Sequence, residues 1–313
     1  MSRLWNAFWF RSDSTVALGL FRILFAVALF REIGTTTDRS VFTIEGGFHL
    51  PYVSFVGPAS EQAFHWIQRI QVVPVALLGL GLFTRPAIGS LLLLQGYVFF
   101  ADQLNFRNHP YFFLLLLLLL LFSPCDEALS LERVWRRACG RAILDDGYLG
   151  SSRPLTAQRL IQMQVSIVYF YAALHKLNPW FLGGGGLVES VAQDLLASSS
   201  GDVLRALLPD RPLESLMGVL SAPSLMRWPA CAAVAAEFFL AFGLWFRRTR
   251  PWAIAVGLGL HGGIAFFMQI RTFSLATVAT YLLFLDPATV PRWFAQAFGE
   301  SDQLGAANTA ERD

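Results

Sequence analysis

The sequence predicts an all-α integral membrane protein: a polytopic bundle of about eight transmembrane helices, with an interfacial amphipathic helix between spans five and six. Hydrophobic residues make up 55% of its 313 residues, charged residues only 15%, and the mean hydropathy is +0.50. A soluble domain usually has about a quarter charged residues. Because the charges fall in short clusters between long apolar runs, we expect a single membrane domain over residues 1–313.

Each predicted span is an apolar run that is long enough, or nearly so, to cross the hydrocarbon layer, which takes about 20 residues of helix. The third, fourth and eighth runs are shorter, so tilt or the helix ends must make up the length. The unbroken leucine run 114–121 suits a lipid-facing helix. The runs are approximately 15–32, 66–84, 86–101, 110–123, 158–177, 228–246, 252–270 and 273–286.

A long segment separates the fifth and sixth spans, and it opens with four glycines at 183–186. No strand precedes these glycines, which indicates a hinge rather than a nucleotide-binding loop. The apolar residues that follow recur at helical spacing among polar ones, which predicts the interfacial helix: Leu187, Val188, Val191, Leu195 and Leu196. Residues 1–14 and 287–313 are expected to be cytoplasmic tails, and the polar part of the second, beyond Gly299, to be disordered.

Arginine placement predicts the orientation, because short cytoplasmic loops are enriched in Lys and Arg. With eight spans, the clusters at 133–141 and 247–250 lie on the same side as Arg3 and Arg11. We therefore expect a multi-pass protein of the cell membrane with both termini in the cytoplasm.

Composition also narrows the functional classes. The net charge of +2 comes without a basic stripe, so nothing points to nucleic acid. Cys125, Cys139 and Cys231 form no CxxC pair and no spacing that suits zinc. We expect neither a disulfide nor a metal site.

Three ionisable residues are predicted at membrane depth: Arg22 in the first span, Glu237 in the sixth and His261 in the seventh. Such groups are costly in a bilayer and usually face the bundle interior or a wet cavity. In a structural interpretation, Arg22 and Glu237 are intramembrane charges that neutralise each other, or Glu237 accepts a hydrogen bond from His261. In a functional interpretation they line a cofactor pocket or a proton path. Both stay open.

Lys176 is the only lysine among 24 basic residues, and it ends the fifth span. An arginine stays protonated, whereas a desolvated lysine can lose its proton and act as a base. Gln162, Ser166 and Tyr169 precede Lys176 at helical spacing and share its face, as a cavity wall would. The alternative is a lysine that anchors a helix end at the membrane surface.

A second polar cluster lies between the third and fourth spans, on the same predicted side as Lys176. A polar loop between two helices is ordinary, and an isolated His109 is more often structural. Two clusters on one side make a site there more plausible. The cluster comprises Asp102, Gln103, Asn105, Arg107, Asn108, His109 and Tyr111.

At these residues the chain resembles the vitamin K-dependent γ-glutamyl carboxylase family and its bacterial relatives, the horizontally transferred transmembrane (HTTM) domain proteins. The passage from Tyr169 to Leu177 is the most specific, and the similarity extends over nearly the whole chain. The other passages are Leu20–Ile23, Asn108–Tyr111, His261 and Thr272–Ser274.

The resemblance implies an enzyme that uses a reduced quinone, such as vitamin K hydroquinone or a menaquinol, together with O2 and CO2. Lys176 would be the base that deprotonates the quinol, and His109 would assist. The resulting strong base would drive carboxylation, or a related modification, of a secreted or membrane peptide. The residues expected to bind the cofactor are Asn108, Tyr111, Ser166, Tyr169, His261 and Ser274.

In one respect the chain departs from the full carboxylases. They carry a large non-membrane domain after the bundle, whereas this sequence ends shortly after the last predicted span. The alternative function is therefore a non-catalytic quinone- or lipid-binding module, or an accessory subunit in the maturation of a secreted peptide. A transporter is third, because neither an internal repeat nor a pair of Gly/Pro-broken spans is present.

Overall fold

The computed structural model describes residues 2–36, 48–139, 150–196, 199–268 and 270–297, and this part of the chain contains fifteen α-helices and one small sheet. The chain forms two compact units. The first comprises Met1–Ile161 and Leu285–Asp313, and the second comprises Gln162–Phe284. The helix α7 belongs to both, since its first residues lie in the first unit and the rest in the second.

The described elements follow one another along the chain. In order they are α1 Ser2–Phe10, β1 Ser12–Ser14, α2 Val16–Thr36, α3 Glu61–Leu80, α4 Thr84–Phe100, a 3₁₀ turn Gln103–Asn105, α5 Asn108–Leu121, α6 Leu131–Ala138, β2 Ser152–Pro154, α7 Thr156–Lys176, α8 Pro179–Leu182, α9 Gly185–Leu196, α10 Ser199–Leu207, α11 Asp210–Leu220, α12 Pro223–Gly243, α13 Arg250–Phe267, α14 Arg271–Thr280, a 3₁₀ turn Tyr281–Phe284 and α15 Thr289–Ala297.

A helix lies at each of the eight predicted positions, so the all-α prediction is confirmed. Of the described helices, α3 and α12 are long and apolar enough to cross a membrane, and α5 is apolar but shorter. The count of eight spans therefore stays a prediction. So does the interfacial position of α9, which does form a helix where the apolar spacing predicted one.

In the first unit, α2 packs on α3, α3 on α4, and α4 on α5. Aromatic side chains fill the core: Phe21 stacks on Phe25, and Phe25 meets the edge of Phe113 at a centroid distance of 5.6 Å. Helix α3 starts at the N-cap Ser60 and ends at Gly81, whose φ of 68° is left-handed. A Cβ on Gly81 would lie 2.5 Å from the Cβ of Ser130, so only glycine fits this end.

The predicted tails contain regular structure. Residues 1–14 hold α1 and β1, and β1 pairs antiparallel with β2, with Ser12 opposite Pro154. Three-residue strands carry too little alternation to be recognised in the sequence. Helix α15 occupies part of the predicted C-terminal tail and packs on α2. The disorder predicted beyond Gly299 falls on residues 298–313, which lie outside the described residues.

In the second unit, α12 packs on α13 and α9, and α13 packs on α14. The four-glycine segment forms a tight corner between α8 and α9. Gly184 has a φ of 92°, and a Cβ there would lie 2.2 Å from the carbonyl oxygen of Pro223. The corner thus depends on a glycine both for its backbone conformation and for its contact with the start of α12.

Candidate functional site

Lys176 is the last residue of α7, and it forms an ion pair with Glu237 on α12. The Nζ of Lys176 donates to Oε1 of Glu237 at 2.5 Å. The Lys176 side chain is 28% exposed, whereas that of Glu237 is only 7% exposed. The second carboxylate oxygen of Glu237 is buried and has no hydrogen-bond partner among the described residues. A buried carboxylate therefore holds the lysine and keeps one acceptor position open.

Tyr169, two turns before Lys176 on α7, is the centre of a hydrogen-bonded chain. Its hydroxyl lies 2.7 Å from Nε2 of His261 and 2.5 Å from the hydroxyl of Tyr281. All three side chains are buried. Gly257, one turn before His261, makes room for this chain, because a Cβ there would lie 2.2 Å from the Tyr281 hydroxyl.

The ion pair and the tyrosine–histidine chain share α7, which carries both Lys176 and Tyr169. Nδ1 of His261 and Oγ of Ser274 are buried, and neither has a hydrogen-bond partner in the described part of the chain. Unpaired polar atoms at this depth are costly. The second unit therefore presents polar groups from α12, α13 and α14 that suit a ligand carrying hydroxyl or carbonyl groups.

The other two members of the polar stripe on α7 have partners within the second unit. Gln162 donates through Nε2 to the carbonyl oxygen of Leu283 at 2.5 Å. Ser166 accepts from Nε1 of Trp245 at 2.7 Å. These bonds attach α7 to its neighbours, so the stripe combines structural contacts with the polar groups around Tyr169 and Lys176.

His109, the second predicted catalytic residue, lies in the first unit near the start of α5. Its Nε2 is 3.3 Å from Oε1 of Glu32 on α2, and both side chains are mostly buried. Asn108 and Tyr111 are exposed, and the ring of Tyr111 stacks on Phe99. Sequence reasoning missed Glu32. Its only signal in the sequence is its position directly after Arg31, at the end of the first predicted span.

Asp102 forms a clasp in the same unit. Its carboxylate accepts from the backbone N–H groups of Leu50 and Leu104 at 3.0 Å each, and it lies 2.8 Å from Nδ1 of His49. Burial opposes ionisation of Asp102, yet the hydrogen bonds from His49 and the two N–H groups together hold the pKa of this carboxyl below its usual value. His49 was also missed by sequence reasoning. The clasp fixes the chain at 48–50 against the end of α4.

Arg22 is completely buried, and its partners are backbone carbonyl groups rather than a carboxylate. Nη1 donates to the carbonyl oxygen of Cys125 at 2.6 Å, and Nη2 donates to that of Leu129 at 2.6 Å. Longer bonds reach Ala128 and Gly79. Arg22 thus secures the loop after α5, whereas Glu237 pairs with Lys176. From the sequence, Glu237 could pair with Arg22 or with His261. In the structure, Arg22 instead binds backbone carbonyl groups and Glu237 pairs with Lys176.

Among the described residues, no group of three His, Cys, Asp or Glu side chains could hold a metal ion. The strongest chemistry-bearing group is therefore the cluster of Lys176, Glu237, Tyr169, His261 and Tyr281. Tyr281 was missed by sequence reasoning, because it lies in a short apolar run that resembles core.

Comparison with known proteins gives one match. A sequence model of the HTTM domain matches residues 10–288, which covers both compact units and most of the chain. No curated protein and no solved structure gives a significant match.

Proposed function

The chain belongs to the HTTM domain family, and on this premise we propose that it is a membrane enzyme that binds a reduced quinone in its second unit. The Lys176–Glu237 pair takes a proton from the quinol. When bound, the reduced quinone would be oxidised by O2 and would thereby supply a strong base. This base would remove a proton from a secreted or membrane peptide, and CO2 would add to the resulting carbanion, or a related modification would follow. The observation that carries this proposal is the ion pair with its unpaired buried Oε2 of Glu237, in the same unit as the unpaired buried Nδ1 of His261 and Oγ of Ser274.

The residues of the second unit fit a quinol. Oε2 of Glu237 can accept a hydrogen bond from a hydroxyl group, and Ser274 can both accept and donate. Nδ1 of His261 donates or accepts according to the tautomer that Tyr169 selects. These three groups would hold and orient the hydroxyl groups of the cofactor. When bound, a quinol supplies two electrons and an ionisable hydroxyl group for the reaction with oxygen.

The ion pair is well suited to take that proton. Lys176 and Glu237 together carry no net charge, whichever of them holds the shared proton. When the pair takes one more proton it becomes singly positive, and this charge balances the negative charge left on the donor oxygen. In surroundings that exclude water, such pairing stabilises the product far more than it would in water. The base is thus the neutral amine that Lys176 becomes when Glu237 holds the shared proton, so the pair needs both a lysine that can release a proton and a buried carboxylate that can accept it.

The hydrogen-bonded side chains of His261, Tyr169 and Tyr281 can relay a proton. The Tyr169 hydroxyl bridges His261 and Tyr281, so a proton delivered to one end can be passed to the other by shifts along two short hydrogen bonds. It also fixes the imidazole of His261, so that Nδ1 stays available to a ligand. In the first unit, Glu32 fixes the imidazole of His109 in the same manner, and we assign His109 the assisting role that the family resemblance implies.

The test is oxygen uptake by the purified protein in nanodiscs, with vitamin K hydroquinone or menaquinol as the electron donor. Mass spectrometry of the lipid extract identifies any quinone that copurifies. We expect a bound isoprenoid quinone and quinol-dependent oxygen uptake. A Glu237→Gln variant should bind the quinone but take up oxygen at least about tenfold more slowly, because the buried acceptor is gone.

The second candidate function is a quinone- or lipid-binding module without turnover. The ion pair also fits this function, because a hydrogen bond of 2.5 Å between Lys176 and Glu237 can serve as a structural contact between α7 and α12. This function would be supported if the protein bound a quinone but consumed neither quinone nor oxygen, even with a candidate peptide present.

The location follows from the same premise. We propose a multi-pass protein of the cell membrane with both termini in the cytoplasm. Support comes from the two helices that are long and apolar enough to span it, and from the arginines of α6 and of the segment 247–250. Labelling of single cysteines introduced at the exposed positions Asn6 and Gln296, with and without permeabilisation, would report the side of each terminus.

A further inference from the structure

A small, partly open cavity with largely apolar walls and several polar side chains lies in the first unit, among α2, α3, α4 and the start of α5. Its volume is about 70 Å³. Three glutamines line it: Gln68 and Gln71 on α3, and Gln95 on α4. Helix α3 is one of the two helices apolar enough to span a membrane, yet it buries both of its lining glutamines. Amide groups at this depth are costly unless they are hydrogen-bonded.

Gln71 shows that the cavity is built for a polar occupant. Gln71 is only 2% exposed and belongs to the cavity lining, and its Oε1 has no hydrogen-bond partner in the described residues. Its Nε2 donates to Oε1 of Gln68 over a long distance of 3.4 Å. Exchanging the amide oxygen and nitrogen of Gln71 leaves the other atom unpaired instead, so one position is unsatisfied in either orientation.

The lining also defines the chemistry of the occupant. Amide side chains both donate and accept, so their complement is a group that does the same. Glu32 and Arg107 carry opposite charges, so these two lining residues add no net charge that would select an ion. The rings of Phe64, Phe99 and Phe113 form apolar walls beside the polar groups.

The size of the cavity restricts the occupant further. One water needs about 10–15 Å³ of such a volume, so the cavity holds a few waters or one small organic group. Pockets for drug-sized ligands and cofactors measure about 300–1,000 Å³. The cavity is therefore too small for a quinone ring system with its side chain.

We propose that this cavity binds a small neutral molecule, or the end group of a larger one, of the carboxamide class. The carbonyl oxygen of such a group accepts from the glutamine NH2 groups, and its own N–H donates to Oε1 of Gln71. The site is separate from the second-unit residues proposed to hold the quinol, because its lining residues all belong to the first unit, although one of them, Glu32, also contacts His109.

The test is acetamide binding to the full chain in nanodiscs, followed by saturation-transfer NMR. Ligands of this size bind weakly, so we expect a Kd between micromolar and millimolar. Acetone, which has nearly the same shape but no N–H group, should bind at least about tenfold more weakly, because Gln71 stays unsatisfied.

Gln71→Leu removes the amide group at nearly constant volume, and we expect at least about a tenfold loss of acetamide affinity. Gln62→Leu is the matched control, since Gln62 is exposed on the same helix and does not line this cavity. It should bind acetamide like the wild type. Thermal unfolding reports whether Gln71→Leu is folded, and Gln95→Leu provides a second variant with the same expected loss if it is not.

Equal affinity for acetone and acetamide would overturn the proposal, as would unchanged binding by Gln71→Leu. Absence of saturable acetamide binding to the wild type would also overturn it, and would leave water as the occupant. The variant Lys176→Arg should bind acetamide normally, so failure of the quinol proposal leaves this result unaffected.

Discussion

The ammonium group of Lys176 lies 2.5 Å from a carboxylate oxygen of Glu237. The single lysine of the chain is therefore half of a pair whose other member is buried in an apolar helix. The pair carries no net charge, and it can gain a proton without burying two like charges. It lies within the same unit as a short hydrogen-bonded chain of two tyrosines and a histidine, which gives the pair neighbours that can pass or orient a proton.

The pair predicts a strong energetic coupling between its members. Lys176→Met and Glu237→Leu should each lower the free energy of unfolding by roughly 1–3 kcal/mol, because each leaves one charge unpaired. This loss of unfolding free energy is smaller than for a fully buried pair, because the Lys176 side chain is partly exposed. The double variant should lose at least about 1 kcal/mol less than the sum of the singles. Additive losses in detergent unfolding would show that the pair is not coupled.

Gly257 should be intolerant of alanine. Its Cβ would lie 2.2 Å from the Tyr281 hydroxyl, so Gly257→Ala must displace Tyr281 and break its bond to Tyr169. Overpacking of this kind costs about 1–3 kcal/mol. Gly259→Ala is the control: the added Cβ meets no atom within 4 Å, and alanine favours the helix by roughly 0.5–1 kcal/mol. If both variants had the same melting temperature, the close packing at Gly257 would be refuted.

Arg22 should be essential for folding although it is not part of the site. Arg22→Met removes the donors to the carbonyl groups of Cys125 and Leu129, and each buried carbonyl group left unpaired costs about 1–3 kcal/mol. We expect a loss of at least about 3 kcal/mol in unfolding free energy. Arg31→Met, an exposed position on the same helix, should change it by less than about 0.5 kcal/mol. Similar stability of the two variants would exclude the anchoring role.

Cys125 should be inert toward thiol reagents at neutral pH. Burial raises the pKa of its thiol to about 11, so about one thiol in a thousand is ionised at pH 8. Cys139 is exposed and should react first with iodoacetamide. Peptide mass spectrometry gives the labelling rate of each cysteine, and the rate at Cys125 should rise as the pH approaches 11. Labelling of Cys125 as fast as Cys139 at pH 8 would contradict its burial.

Much of the helix framework could be predicted, because hydropathy alone determines where apolar helices form. The runs around α3, α5 and α12 were located to within a few residues. Helical spacing also placed Tyr169 and Lys176 on one face of α7, and the structure gives both of them partners in the second unit.

The partners of these residues could not be predicted, because they are set by tertiary packing. Nothing in the sequence links Glu237 to Lys176 rather than to Arg22, since all three are single charges in apolar runs. Glu32 beside His109 and His49 beside Asp102 are contacts between segments far apart in the chain. Tyr281 gave no periodic signal, since it lies in a 3₁₀ turn of apolar residues.

The most direct test of the central claim is quinol-dependent oxygen uptake by Lys176→Arg in nanodiscs, beside the wild type. Arginine keeps the positive charge and can still pair with Glu237, but it cannot lose its proton. We predict that the variant binds quinone and is folded, while its turnover falls by about 10²–10⁴-fold. Turnover equal to that of the wild type would contradict the claim that the Lys176–Glu237 pair is the base.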